Sequence, residues 1–257
     1  MSRDLKEIGI LKVRSDITSF HGRHEVKQKF LDRVRAHRLA GEITKDYDRK
    51  NVNGNAIGCT LHSDNKWAYE DELGIPNQLA CIEDELFFSL ANDQAQLFPE
   101  QFLEAIPVGA DLFPAVWQFM LFALLDENQG MIALGQHQEA IRQAADFYLR
   151  ALEGVEISWG EYLDARQALD KRDTQTVRGM LDALDPLDPN HYFSYIFDRL
   201  ARRDYAEAMH GEEPWGGNYD EERHQAAEAA RAAIWRDKLL ECLSDPVRQH
   251  TRSLVEQ

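Results

Sequence analysis

Apolar side chains recur in this sequence every three or four residues, and that spacing constrains the fold more than any other feature. Between residues 24 and 40, for example, Val26, Phe30 and Val34 fall on one face of a helix. At least six segments share this period, and hardly any shows the strict alternation of a half-buried strand. The sequence therefore predicts an all-α, mainly helical fold, with a short strand or extended arm at residues 8–13.

One predicted helix begins after Pro76, because proline is tolerated in the first turn, where its missing N–H would be unpaired anyway. Its apolar stripe consists of Ile75, Leu79, Ile82, Leu86 and Leu90. Its polar side is predicted to carry the carboxylates of residues 83–85. The helix at residues 113–126 is apolar nearly all round, so we expect it to be central. Further helices are predicted at residues 99–106, 136–153, 159–169, 174–184, 191–209 and 221–243.

The chain shows no sign of internal division, since neither a repeat of 20 to 50 residues nor a low-complexity linker is present. We expect a single multi-helix globular domain at residues 21–210, preceded by an N-terminal arm at residues 1–20. Residues 211–257 are predicted to form a loop and a docked, alanine-rich C-terminal helix, because alanine favours helix. Residues 58–65 are predicted to form a loop.

The charge of the chain is unevenly distributed. The net charge is −16, and residues 67–141 contain no Lys or Arg but 13 Asp and Glu, whereas residues 1–50 carry a net charge of +5. Direct nucleic-acid binding depends on clustered Lys and Arg, so it is disfavoured beyond residue 50. A surface of one sign selects oppositely charged partners. We therefore expect a basic protein partner, with Glu83, Asp84, Glu85 and Glu139 as candidate binding residues; acidity for solubility alone is the alternative.

Neither export nor a membrane span is predicted. The first 14 residues lack the apolar core of a secretory signal, and the most apolar stretch, residues 112–125, is shorter than the roughly 20 residues that span a bilayer. The cysteines, Cys59, Cys81 and Cys242, show no CxxC spacing, so neither a disulfide framework nor a thiolate zinc site is supported. Glycine-rich nucleotide motifs are absent. We expect a cytoplasmic protein without a cofactor.

The segment GCTLHS at residues 58–63 places Cys59 and His62 three residues apart. A nearby imidazole lowers the pKa of a thiol and produces the reactive thiolate, so the pair is a candidate nucleophile and base. The alternative is that Cys59 fills a small buried gap, as free cysteines commonly do, and that His62 caps the next segment. Spacing alone leaves both interpretations open.

Histidines and carboxylates form a second candidate site. His21, His37 and His62 converge if the first helix packs beside the helix that carries Glu83. Glu70 and Glu83 would then add carboxylates, and imidazole with carboxylate is a usual ligand set for transition metals. No HExxH motif is present, so no bound metal is predicted. Helix capping by His21 and a hydrogen-bonded core position for His37 are the alternatives.

Four strings in the first half of the chain form a recognisable pattern. They are HG at residues 21–22, followed by Arg33 and His37; GCTLHS at 58–63; ELGIP at 72–76; and FLEAIPVGADL at 102–112. This pattern resembles an uncharacterised family of bacterial and phage-encoded proteins, whose members are alike over roughly this half and often end in an alanine-rich helix. The resemblance implies a grouping and no assigned activity.

Two functions of different classes follow from these observations. The first is an acidic helical protein-binding module, of the inhibitor or immunity type and phage- or defence-related. The second is an enzyme, such as a metal-assisted hydrolase, that uses His21, His37, Cys59, His62 and Glu83. Because no enzyme motif is present, the sequence favours the first function and leaves enzymatic activity uncertain. One observation separates them, namely whether those five side chains lie within a single pocket.

Overall fold

A series of helices joined by short connections makes up the structure. The computed structural model describes residues 17–45, 54–63, 65–168, 177, 200, 202–204 and 220–246. In chain order the helices are α1 (His24–Leu39), α2 (Ala56–Leu61), α3 (Ala68–Leu73), α4 (Asn77–Ser89), α5 (Asn92–Ala105), α6 (Phe113–Leu125), α7 (Gln138–Leu152), α8 (Trp159–Ala168) and α9 (Glu221–Ser244). Short 3-10 turns lie at Ser19–Gly22 and Met131–Leu134. None of the described residues lies in a strand, and the predicted all-α single domain is confirmed.

Helix α6 lies at the centre of the fold, as its apolar composition predicts. It packs against both α7 and α9. The Trp117 ring lies 5.6 Å from the ring of Tyr148 on α7, between centroids. On α9, Trp235 packs edge-on against Phe119 and Phe122, with centroid distances of 5.8 Å to each. The alanine-rich C-terminal helix is therefore docked on the core, where it also contacts α4 and α5.

Ion pairs fasten α1 to α5. Arg35 Nε and Arg38 Nε donate to the two carboxylate oxygens of Glu100 at 2.6 and 2.7 Å, and Arg35 also pairs with Glu104. Lys27 Nζ donates to the carbonyl oxygen of Glu104 at 2.9 Å, near the C-terminal end of α5. Part of the positive charge of the N-terminal segment thus neutralises carboxylates from the stretch that lacks Lys and Arg.

The end of the segment predicted as an N-terminal arm is packed against the core. Phe20 is completely buried, and its backbone φ of 53° places it in the left-handed region. Ser19 Oγ donates to the carbonyl oxygen of Pro107 and accepts from the N–H of Ala110. The boundary predicted at residue 20 therefore falls inside a packed 3-10 turn. Residues 8–13, predicted as strand or arm, lie outside the described residues.

Gly74 permits the close approach of α3 to that turn. Its φ is +63°, and a Cβ atom at this position would lie 2.1 Å from the carbonyl oxygen of Thr18. Only glycine fits this contact, because both the backbone conformation and the available space exclude a side chain. Helix α4 begins directly after Pro76, as predicted, and the apolar stripe that starts at Ile75 is buried along its length.

Two sequence predictions about helix extent are wrong. Helix α5 begins at Asn92 rather than at residue 99, because the buried positions Ala95, Phe98 and Phe102 keep the helical spacing across Pro99. Residues 58–61, predicted as part of a loop, belong to α2, which is buried throughout.

A side-chain cap explains how so short a helix as α2 forms. Asn55 Oδ1 accepts from the N–H of Gly58 at 2.7 Å and so satisfies a backbone donor of the first turn.

The other predicted helices agree with the structure where it describes them. Helices α6, α7, α8 and α9 lie at the predicted positions, and Gly154, two residues after the end of α7, adopts a φ of 71°. The predicted helices at 174–184 and 191–209 and the loop after residue 210 lie largely outside the described residues. Over the described ranges, no helix combines the length and apolar character that a bilayer crossing requires.

We predict that the docking of α9 depends on Trp235. This side chain is completely buried, and its Nε1 donates to the carbonyl oxygen of Gln129 at 3.1 Å. Trp235→Ala should lower the free energy of unfolding by about 3–5 kcal/mol, because it removes a large aromatic side chain from a close-packed site. Urea unfolding followed by circular dichroism measures this change.

Ile234→Ala is the matched control, since its side chain is 44% exposed on the same helix. It should change stability by only about 0.5 kcal/mol. Equal effects of the two substitutions would show that α9 is not held by the contact with α6.

Candidate functional site

Two of the five predicted catalytic side chains meet at the surface. His37 lies in the last turn of α1, and His62 follows α2 directly. Their Nε2 atoms are 2.8 Å apart, and the two rings are nearly perpendicular, with centroids separated by 5.0 Å. His37 Nδ1 lies 2.6 Å from Oε2 of Glu42. A carboxylate and two imidazoles therefore form a continuous hydrogen-bonded chain.

The end of α1 explains why Glu42 reaches His37. Gly41 adopts a φ of +68°, which turns the backbone sharply after the helix. The N–H of Glu42 then donates to the carbonyl oxygen of His37 at 3.0 Å. This backbone hydrogen bond holds Glu42 against the last turn of α1 and places its carboxylate beside the imidazole of His37.

Arg33 positions the two helices that carry the histidines. Its Nη1 donates to the carbonyl oxygen of Thr60 at 2.8 Å, and its guanidinium lies over the ring of Phe30. The contact joins α1 to the last turn of α2, immediately before His62. His62 itself has a φ of 58°, which lets the chain leave the helix while the imidazole faces α1.

Hydrogen-bond chemistry assigns the protons of this chain. A carboxylate oxygen of Glu42 accepts from His37 Nδ1–H, and one proton then lies between the facing Nε2 atoms of His37 and His62. Partial burial, the Arg33 charge and His37 lower the pKa of His62. His62 is therefore neutral at pH 7. The arrangement can pass a proton between His62, which is exposed, and His37.

Cys59 and Glu83 lie instead in a buried cluster with Tyr69. Cys59 is completely buried, and its sulfur donates to the carbonyl oxygen of Ala56 at 3.2 Å rather than to His62. Burial and the Glu83 charge raise the pKa of the Cys59 thiol. Because the reactive form is the thiolate, this environment disfavours a nucleophilic role and fits a core cysteine.

Glu83 is buried on the core side of α4, which corrects its predicted position on the polar side. It lies four residues from both Leu79 and Phe87, so it falls on the face that these residues bury. Its Oε2 accepts from the hydroxyl of Tyr69 at 2.7 Å, while its Oε1 has no partner among the described residues. Burial raises the pKa of Glu83 to about 8. Glu83 therefore adds little charge at pH 7 and cannot contact a partner.

The other predicted binding residues differ in exposure. Asp84 is largely covered and pairs with Lys66 at 3.3 Å. Glu85 is partly buried, and burial followed by the Asp84 charge raises its pKa to about 7. Glu139, in the first turn of α7, is exposed. Of these residues, Glu139 is the one placed to meet a partner.

His21 lies apart from the other candidates. It is exposed in the 3-10 turn before α1, and α1 begins at His24 without a side-chain cap. At 1.5 Å per residue, the length of α1 separates it from His37 by roughly 20 Å. The five candidates therefore occupy three places rather than one pocket. Within the described ranges, no group of three or more His, Cys, Asp or Glu side chains is arranged to hold a metal ion.

A polar cleft lies elsewhere, between α9 and the connection from α6 to α7. Its volume is about 480 Å³. Arg231, only 4% exposed, lines it and donates to Asp204 and to the side chain of Gln129. Sequence patterns did not indicate this cleft, because its residues are widely separated along the chain.

We predict that the native protein resists thiol reagents. All three cysteines are buried, and burial raises the pKa of Cys242 to about 12. Ellman's reagent should react with the native chain only slowly and with the urea-unfolded chain rapidly, to three equivalents. Fast release of one equivalent from the native chain, lost in Cys59→Ser, would restore the nucleophile hypothesis.

We also predict that Glu83 makes stability fall as pH rises. Its pKa is near 4.5 in an unfolded chain and about 8 in the fold. Below about pH 4.5, Glu83 is protonated in both states and the free energy of unfolding is at its full value. Between about pH 4.5 and 8, Glu83 is ionised only in the unfolded state, so the free energy of unfolding falls as pH rises through this range. Because a glutamine side chain stays neutral, the variant Glu83→Gln should gain stability relative to the parent between about pH 5 and pH 9. The expected increase in the free energy of unfolding is on the order of a few kcal/mol.

Urea unfolding of parent and variant at several pH values measures this difference. Glu139→Gln is the control, because an exposed carboxylate should give nearly the same difference at every pH. A pH-independent offset for Glu83→Gln would contradict the assigned environment of Glu83.

Comparisons with protein-family models, with curated proteins and with solved structures gave no match to this chain. The resemblance to bacterial and phage-encoded proteins therefore stays a prediction that depends on the motif strings alone. No activity comes to this chain from a relative, and its function has to be argued from its own residues.

Proposed function

We propose that this chain is an acidic protein-binding module whose partner presents a basic surface. The observation that supports this proposal is unbalanced negative charge on the exposed surface. Residues 67–141 contain several exposed carboxylates that form no ion pair with any described residue. We call them the exposed carboxylate set: Asp71, Glu72, Asp93, Asp111, Glu127 and Glu139.

The set excludes carboxylates that the fold already uses. Asp84 pairs with Lys66, and Glu100 and Glu104 pair with arginines of α1. Glu83 is buried and mostly neutral at pH 7. The remaining carboxylates are the ones whose field reaches solvent, so they are the ones able to attract a basic partner.

Charge complementarity of this kind mainly affects the rate of association and the choice of partner. Opposite potentials on two proteins raise the rate of encounter and reject partners of like charge. Rapid and selective capture is what an inhibitor or immunity protein requires. That class of binder is therefore the one we propose, in a phage or defence setting.

The separation of the candidate catalytic residues favours binding over catalysis. An enzyme that used all five would need them around one substrate position, within hydrogen-bonding reach of the reacting atoms. Instead, His37 and His62 are at the surface, Cys59 and Glu83 are in the core, and His21 is at the start of α1. Of the five candidates, only His37 and His62 lie together where they can exchange protons or bind a ligand.

We predict that charge reversal in the exposed carboxylate set weakens partner capture. The immobilised parent chain should retain a basic protein from host lysate, identified by mass spectrometry, and release it as NaCl approaches about 0.5 M, where screening shortens electrostatic reach to a few ångströms. The triple variant Asp71→Lys, Glu72→Lys, Glu139→Lys should bind the purified partner about tenfold or more weakly. Its unfolding should change little, because exposed charges are each worth under about 1 kcal/mol.

A matched triple variant controls for net charge. Glu153→Lys, Glu156→Lys and Asp164→Lys reverse three exposed carboxylates outside residues 67–141. This variant should retain most of the binding. Equal loss in both triple variants, or binding that is indifferent to salt and to charge reversal, would show that the exposed carboxylate set only keeps the protein soluble.

A further inference from the structure

The hydrogen bond between His37 and His62 brings two imidazole nitrogens close enough to be shared by one metal ion. The Nε2 atoms of His37 and His62 point at each other across 2.8 Å at an exposed position, where His62 is open to solvent. Neutral imidazole nitrogens are the usual protein ligands for zinc, copper and nickel. We propose that His37 and His62 form a binding site for a divalent ion of this group, with Glu42 as the residue that positions His37.

The spacing of the two nitrogens suits a shared ion after a small adjustment. Metal–nitrogen bonds of about 2.0–2.1 Å at a tetrahedral angle place the two nitrogens about 3.3 Å apart. The observed separation is 2.8 Å, so the rings must part by about 0.5 Å and turn until both Nε2 lone pairs point at the ion. The proton of the hydrogen bond between them must move to Nδ1 of His62. His62 follows the end of α2 and is exposed, which leaves its ring free to move that far.

Glu42 occupies the position expected of a carboxylate that supports a metal-binding histidine. A ligating imidazole usually donates its second N–H to a carboxylate or carbonyl oxygen, which fixes the tautomer and the ring orientation. His37 Nδ1 lies 2.6 Å from Glu42 Oε2, so the nitrogen left to bind an ion is Nε2, the one that faces His62. His37 therefore has one ring nitrogen fixed by a carboxylate and the other directed toward His62.

Two protein ligands imply an open and moderately weak site. The remaining positions of a tetrahedral ion would be filled by water, because the site is exposed. Arg33 lies close enough to lower the pKa of His62, so its charge also opposes the ion. A purified chain would therefore lose its ion during preparation and take it up again when metal is added. This site uses imidazoles and not the exposed carboxylate set, so its test does not depend on the protein-binding proposal.

Isothermal titration of the full chain with ZnCl₂ at pH 7.5 tests the site. Excess Mg²⁺ in the buffer occupies weak oxygen sites, since Mg²⁺ prefers oxygen ligands. We expect one saturable Zn²⁺ site in the parent. His37→Gln and His62→Asn should abolish it; Asn tolerates the left-handed backbone at this position. Glu42→Gln should weaken binding about 10- to 100-fold.

His24→Ala is the control, because it removes an exposed histidine from the same helix and should leave the titration unchanged. A second measurement uses the parent alone: nitrogen-15 spectra of the imidazoles should show that Zn²⁺ shifts Nε2 of both His37 and His62. Absence of saturable binding in the parent, or binding that survives both histidine substitutions, would overturn the proposal.

Discussion

Helix α6 has no polar face to present to water, and the rest of the fold is arranged to cover it. All but two of its 13 residues are buried. A single amphipathic helix cannot cover such a cylinder, so α7 packs against it and α9 packs against it as well. The aromatic contacts of Trp235 with Phe119 and Phe122 complete this enclosure. Helix α9, whose Trp235 lies more than 100 residues after Phe122 in sequence, is therefore an integral part of the core.

Burial also lowers the surface charge that the acidic residues of 67–141 provide. A run of carboxylates at residues 83–85 suggests an acidic surface, yet Glu83 is fully buried and Glu85 partly so, and burial raises the pKa of each. Glu100 and Glu104 balance arginines of α1. The effective surface charge of residues 67–141 is thus smaller than the count of acidic residues implies. It is also displaced, away from α4 and toward α3, the start of α5 and the region around α7.

Periodicity predicted the larger helices because each buries one continuous apolar stripe, as Ile75, Leu79 and Ile82 do. It misplaced Glu83 because a carboxylate on the apolar face contradicts the rule that charges face water, and only the hydroxyl of Tyr69 explains how one is accommodated. The pairing of His37 with His62 could be suspected but not located, since it depends on how α1 packs against α2. Glu42 was missed because its approach to His37 requires the turn at Gly41.

The basic residues of α1 pair with neighbouring helices, so their number differs from the positive charge that α1 displays at the surface. Arg35 and Arg38 face α5 and are used by its carboxylates. Arg33 faces α2 and is used by a backbone carbonyl. These three arginines of α1 are in this way paired on two sides of the helix, so they do not form the continuous array of cations that a phosphate backbone requires. At the end of α1, His37 instead hydrogen-bonds Glu42 and faces His62, so its imidazole is oriented by polar contacts and not by apolar packing.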